Sequence, residues 1–214
     1  MNNTSGHFIT FEGGDGGGKT TQAAELVGYL RGKGFEVLET LEPGGTQQGE
    51  DLRDLLVRGN PERWSPLAEL LMMTAARVEH VNRVIRPALA AGKWVICDRF
   101  IDSTLVYQGI AGGVDLSFIK QLQELACADS SPPIMPDLTF VLDVRAEKGL
   151  ERATIRGGAA RFEKKGTGFH QKVRDGFLAL ANESPTRMVV IDAEETFAKV
   201  WAQIESAMAR HFNL

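Results

Sequence analysis

Residues Gly13-Gly14-Asp15-Gly16-Gly17-Gly18-Lys19-Thr20 fill every position of the pattern G-x-x-x-x-G-K-[S/T]. They stand between an apolar run, Phe8-Ile9-Thr10-Phe11, and a helical one, Thr21-Gln22-Ala23-Ala24-Glu25-Leu26. A strand that ends in a glycine turn and restarts as a helix aims successive backbone N–H groups, and the helix N-terminus, at one anion. Glycine supplies the positive φ angles and the close approach of backbone to phosphate that such a loop needs. The pattern therefore assigns Gly13, Gly14, Asp15, Gly16, Gly17, Gly18, Lys19, Thr20 and Thr21 to a phosphate cradle. Lys19 would reach the β and γ phosphates of a nucleoside triphosphate, and the Thr20 hydroxyl would complete the coordination of Mg²⁺.

Short apolar runs at His7–Phe11, Phe35–Thr40, Trp94–Cys97, Leu138–Asp143 and Met188–Asp192 alternate with longer helical patterns. This predicts a P-loop NTPase-type α/β fold: a five-stranded parallel sheet wrapped by helices on both faces, with its chemistry along the carboxyl edge of the strands. At 214 residues with 43% hydrophobic content, one domain over 1–214 is expected. The net charge of −4 excludes a general nucleic-acid or membrane-surface binder. No run approaches the roughly 18 apolar residues of a membrane span. The polar start of the chain and two isolated cysteines, Cys97 and Cys127, lead to the expectation of a reduced, cytoplasmic protein.

Further along the chain, Glu42-Pro43-Gly44-Gly45-Thr46 forms a turn, and a helix beyond it carries Arg53. Pro66 opens a long helical segment to about Ala91, expected to be interrupted by Pro87, with Met73 and Arg77 four apart on one face. The third strand runs into Asp98-Arg99-Phe100. An acid after four apolar residues completes the nucleotide-triphosphatase pattern and places Asp98 with Thr20 near a metal, partly through water. Arginine directly behind it suits a protein that docks a second phosphate beside the first. Arg152, Arg156 and Arg161, with Gly157-Gly158-Ala159-Ala160 before the last, read as a mobile lid over about 152–165 that brings guanidinium donors to the phosphoryl groups.

These stretches resemble the thymidylate kinase family over nearly the entire chain. The most specific parts are Phe11-Glu12-Gly13-x-Asp15-Gly16-x-Gly18-Lys19-Thr20-Thr21, Glu42-Pro43-Gly44-Gly45-Thr46, Asp98-Arg99-Phe100, Ser103-Thr104-x-x-Tyr107-Gln108-Gly109 and Pro136-Asp137-Leu138-Thr139. The resemblance implies ATP as donor, dTMP as acceptor, Mg²⁺ as cofactor and a homodimer. By the same resemblance, Asp15 would hold the deoxyribose 3′-hydroxyl, and Arg99, with Arg53, would hold the acceptor phosphate. Arg77 would donate to thymine O4, Thr104 and Gln108 would contact the thymine edge, and Tyr107 would crowd the sugar 2′ position. Glu42 and Asp98 would act near the metal and the acceptor phosphate. The family usually stacks a phenylalanine on thymine where this chain has Met73, and many bacterial relatives have arginine where it has Leu41.

An acceptor phosphate, with a second pKa near about 6, is already mostly a dianion at neutral pH and needs no general base. The expected catalytic set is therefore cationic and positioning: Lys19, Asp15, Arg99, Arg156 and Arg161. Some relatives place a basic residue inside the phosphate loop where this chain has Gly16, so the lid is expected to supply that charge from Arg156 or Arg161. The rival readings are another P-loop kinase of nucleosides or monophosphates with broader pyrimidine choice, and a nucleotide-dependent switch. The latter is disfavoured by the missing Asn-Lys-x-Asp guanine signature.

Overall fold

A computed structural model describes residues 6–128, 133–155, 157 and 161–214. Five strands, β1 (Phe8–Glu12), β2 (Val37–Leu41), β3 (Trp94–Asp98), β4 (Leu138–Asp143) and β5 (Met188–Asp192), form one parallel sheet in the order β2-β3-β1-β4-β5. The predicted strands are all present, with β2 starting two residues later and β1 shifted by one.

Strand alternation decides which residues meet which helix layer. Ile9 and Phe11 of β1, Ile96 of β3, and Phe140 and Leu142 of β4 face a layer made by α1 (Lys19–Gly32) and α9 (Phe197–Phe212), through Leu26, Leu30, Ile204 and Met208. Phe8, Val95 and Cys97 face the opposite layer, built from α3 (Pro66–His80), α4 (Arg86–Ala90), α5 (Ile101–Thr104) and α6 (Leu116–Ala128). On the same side, Val141 and Met188 pack with Phe177 of α8 (Thr167–Glu183). Phe8, Phe11, Phe100, Phe140 and Phe177 are fully buried, each side chain contributing about 1.5–3 kcal/mol by leaving water.

Two helices carry a widened turn. Between α3 and α4, Val81–Ile85 is a π turn in which Arg86 N donates to Val81 O. Pro87 thus does not interrupt the segment as expected: the wider turn absorbs the missing N–H and the ring without ending the helix. The second π turn, Leu105–Ile110, continues α5 and carries Tyr107 and Gln108. Two further helices, α2 (Gln47–Val57) and α7 (Ala146–Ile155), complete the set named here. Because β1, β2 and β3 are parallel and in register at Phe11, Leu41 and Asp98, their carboxyl ends deliver the phosphate loop, Glu42 and Asp98-Arg99 to one edge.

Candidate active site

One cleft along that edge joins two walls. Its first wall is the phosphate loop. Gly13, Gly16 and Gly18 adopt φ of 125°, 73° and 85°, conformations that a side chain would strain. Gly16 also rests against α7, where an added Cβ would collide with the Gly149 carbonyl oxygen; one at Gly149 would collide with Asp15 O. A basic side chain at position 16 is therefore excluded by backbone as well as by φ. Asp15, Gly16, Gly18, Lys19 and Thr20 line the cleft, whereas Gly13, Gly14, Gly17 and Thr21 complete the loop and the helix start behind it.

Lys19 folds back on the loop, donating to Gly13 O at 3.2 Å and Gly14 O at 2.7 Å. Burial, then the charge of Arg99, pulls its pKa down to about 8, against the opposing pull of Asp98, Asp15 and Glu12. A phosphate arriving here would restore the missing countercharge. Beside it the Thr20 hydroxyl donates to Asp98 Oδ2 at 2.6 Å. A hydroxyl and a carboxylate oxygen next to a phosphate cradle suit Mg²⁺, which takes few protein ligands and completes its shell with phosphate and water.

Arg99 bridges the two walls. Its φ is 70°, in the left-handed region that is costly for a non-glycine residue. The guanidinium donates to Gly13 O and Ser103 Oγ at 3.0 Å, Asp15 Oδ1 at 2.7 Å and the Tyr107 hydroxyl at 3.2 Å. Burial opposes its charge, but Tyr107, Asp15, Asp98 and Glu12 outweigh that and raise its pKa above the ordinary arginine value. Burial likewise opposes the charge on Asp15, yet Arg99 and Lys19 hold that carboxyl below its usual range. Beneath them Glu12, fully buried, accepts from Phe100 N at 2.8 Å and Ser103 N at 3.2 Å and so fixes the backbone on the far side of Arg99. Burial, reinforced by Asp102, pushes the Glu12 pKa up to about 7.

The second wall is built from buried side chains. Arg77, 2% exposed, donates to Glu42 Oε2 at 2.7 Å, Gln123 Oε1 at 2.6 Å, Phe100 O at 3.2 Å and Thr104 Oγ1 at 3.0 Å. Among the described residues these bonds use four of the five guanidinium N–H groups, leaving one for the cleft. His80 Nδ1 donates to Glu42 Oε1 at 2.9 Å while its Nε2 lies 2.7 Å from Thr40 Oγ1. Met73, Thr104, Tyr107, Gln108 and Arg53 also line this wall, Arg53 being held by Pro43 O at 2.7 Å. Leu41 contributes a neutral rim to the cleft.

Glu42 lines the same cleft as Thr20, Asp98 and Arg99, and with both carboxylate oxygens engaged by Arg77 and His80 it shapes the second wall. Two expectations are corrected. Arg161 is fully buried, donating to Leu56 O and Pro61 O at 2.8 Å and pairing with Glu69 at 2.7 Å, so it does not face the phosphate loop. Arg152 donates to Ala193 O at 2.9 Å and belongs to the body of the protein. Arg156 lies outside the described residues. Sequence reasoning gave no role to Glu12, Glu69, His80 or Gln123. The spacing of Glu69, Met73, Arg77 and His80 at four, four and three residues held a signal for two of them, since it puts polar groups on the face of α3 that meets the core.

Comparison with known proteins supports the same reading. The family model for thymidylate kinase matches residues 11–204. A thymidylate kinase of Caulobacter vibrioides is 48% identical over 211 residues, covering 99% of this chain and 100% of its own. One from a Synechococcus strain is 50% identical over 202 residues, covering 92% and 94%. The crystal structure of thymidylate kinase from Ehrlichia chaffeensis superposes with a TM-score of 0.74 at 38% identity, covering 95% of this chain and 99% of that one. With the phosphate loop, the Asp98-Arg99 pair and the buried second wall all in one cleft, the chain belongs to the thymidylate kinase family of phosphotransferases.

Proposed function

We propose that the chain transfers the γ-phosphoryl group of ATP to dTMP, giving dTDP and ADP on the route to dTTP. The observation that carries this is the bridging position of Arg99 and Asp15 between a phosphate loop and a wall of fixed donors and acceptors. ATP phosphates would occupy the loop from Gly13 to Thr21 with Lys19 as their cation. The dTMP phosphate would draw on Arg99 and Arg53, its sugar would sit against Asp15 and Tyr107, and its base would meet Met73, Arg77, Thr104 and Gln108. Thr20 and Asp98 would hold Mg²⁺, which when bound neutralises charge on the donor phosphates.

The chemistry asks the protein to bring two anions together. Arg99 retains its charge at any physiological pH and removes repulsion from the attacking phosphate; Lys19 does the same for the transferred group. Glu42 is committed to Arg77 and is not needed as a base, since a phosphate dianion attacks unaided. With Arg161 buried, the lid cation in this reading is Arg156.

Residues 1–214 act as one unit in this account, in the cytoplasm and as a homodimer. Supporting this, no helix among the described residues is long and apolar enough to cross a membrane, and Cys97 and Cys127 are free and buried. On α3 and α6, Leu67, Leu71, Phe118 and Leu125 are 48%, 51%, 43% and 77% exposed, an apolar surface suited to a second copy. The test is a coupled ADP-release assay with Mg²⁺ and ATP, offering dTMP, dUMP, UMP, CMP, AMP and GMP separately. Preference for dTMP is expected; absence of transfer to any of them would refute the reading.

A further inference from the structure

The amide of Gln108 is oriented by a group outside the cleft. Gln108 is 1% exposed, and its Nε2 donates to Glu69 Oε2 at 2.9 Å. Glu69 is itself fully buried, and its other oxygen, Oε1, lies 2.7 Å from the Arg161 guanidinium and 3.2 Å from Lys165 Nζ. Paired with two cations that can only donate, the carboxylate has oxygens that serve as acceptors. The nitrogen of the Gln108 amide must therefore turn toward Glu69. Its carbonyl oxygen accepts no bond from the described residues and is left for the cleft that Gln108 lines.

We infer that Glu69 is a positioning residue for base choice: by holding the Gln108 amide nitrogen, it presents the Gln108 carbonyl oxygen to the pyrimidine edge and selects a base that carries a proton on N3. This rests on the reading that the cleft takes a pyrimidine monophosphate. Thymine offers an acceptor at O4 and a donor at N3–H, which match the spare Arg77 N–H and the Gln108 oxygen respectively. Cytosine offers a donor at N4 and an acceptor at N3, so it meets Arg77 and Gln108 with like against like. Discrimination of this kind is strong because the mismatched polar groups stay buried and unpaired. Arg161 takes part indirectly: its bonds to Leu56 O and Pro61 O hold the guanidinium in place against Glu69.

The substitution Glu69→Gln makes the prediction sharp. Arg161 and Lys165 only donate, so the oxygen of a glutamine at 69 stays on their side and its NH₂ faces Gln108. The Gln108 amide must then flip, turning N–H groups toward the base. Steady-state kinetics with dTMP and dCMP should show the dTMP-over-dCMP ratio of kcat/KM falling at least about tenfold, mostly through a higher KM for dTMP, while KM for ATP is unchanged. A folded E69Q with the wild-type ratio would overturn the inference. If E69Q is lost to the guanidinium it leaves unpaired, E69Q/R161M removes that charge while Lys165 still fixes the oxygen, and the same two outcomes apply. Wild-type protein that fails to phosphorylate dTMP would instead refute the underlying reading, and the inference with it.

Discussion

The two walls of the cleft are made in opposite ways. The phosphate wall is backbone: eight consecutive residues, glycine dihedrals, one lysine and the start of α1. The base wall is side chains drawn from distant parts of the chain, with Arg77 bonded to Glu42, Phe100, Thr104 and Gln123. A backbone cradle is set by local φ and ψ and tolerates change elsewhere. A lattice of buried charges has no such independence, because removing one partner leaves another uncompensated. Substitutions in the first wall should therefore act on rate, and substitutions in the second on stability and acceptor binding together.

The largest effect tests the first half of that contrast. Lys19→Met should lower kcat by about a thousandfold while the protein stays folded, since one preorganised donor on the transferred group is commonly worth 10²–10³ or more. Thermal unfolding should be unchanged or raised, because the lysine is desolvated and its charge disfavoured; a large fall in Tm would break the comparison. Next, Glu42→Gln leaves the buried Arg77 without its ion pair and should cost on the order of 3 kcal/mol of stability along with a raised KM for dTMP. Normal stability with only kcat reduced would show that the base wall behaves like the phosphate wall.

Glu12 sharpens the contrast because it lies under the junction. Its pKa is raised from an ordinary 4.5 to about 7, so the folded state resists ionising it. Wild-type protein thus loses stability as pH rises from 4.5 to 7, and the loss, on the order of 3 kcal/mol, is complete above 7. In Glu12→Gln that contribution is absent, so the stability of the variant relative to wild type should improve between pH 5 and pH 8 by about this amount. Parallel Tm–pH curves would contradict the assignment. The smallest effect is a fraction of a proton. Lys19 titrates near 8 when free, and bound phosphate raises that value, so ATP binding at pH ~8.5 should take up protons and weaken as pH rises further. Calorimetry in buffers of different ionisation enthalpy reads this directly.

How far the sequence was informative follows the same division. The loop, the five strands and Asp98-Arg99 were legible because each is a contiguous pattern whose physics is local. The cleft residues Met73, Arg77, Thr104, Tyr107 and Gln108 were named through family resemblance, and the structure places them on one wall. What was not legible is how they are held. The π turn that carries Tyr107 and Gln108 leaves no periodic trace, because a single widened turn is compatible with an ordinary helical spacing. Arg161 beside glycines read as a lid cation, yet its partners Leu56, Pro61 and Glu69 are about a hundred residues away or nearly so in sequence. Sequence spacing carries no information about such pairings.

The contact between Gly16 and Gly149 has an evolutionary corollary. Placing a cation inside the phosphate loop and placing one in the lid are alternative ways to neutralise the same charge, and it is tempting to regard them as interchangeable by single substitutions. In this chain they are not. A side chain at 16 needs the Gly149 carbonyl, and with it the start of α7, to move away, so the gain of a loop cation and the displacement of a helix must occur together. The obstacle at each glycine is a backbone carbonyl, Gly149 O for position 16 and Asp15 O for position 149, so no substitution at the partner glycine relieves it: the loop and the helix must separate before either position can carry a side chain.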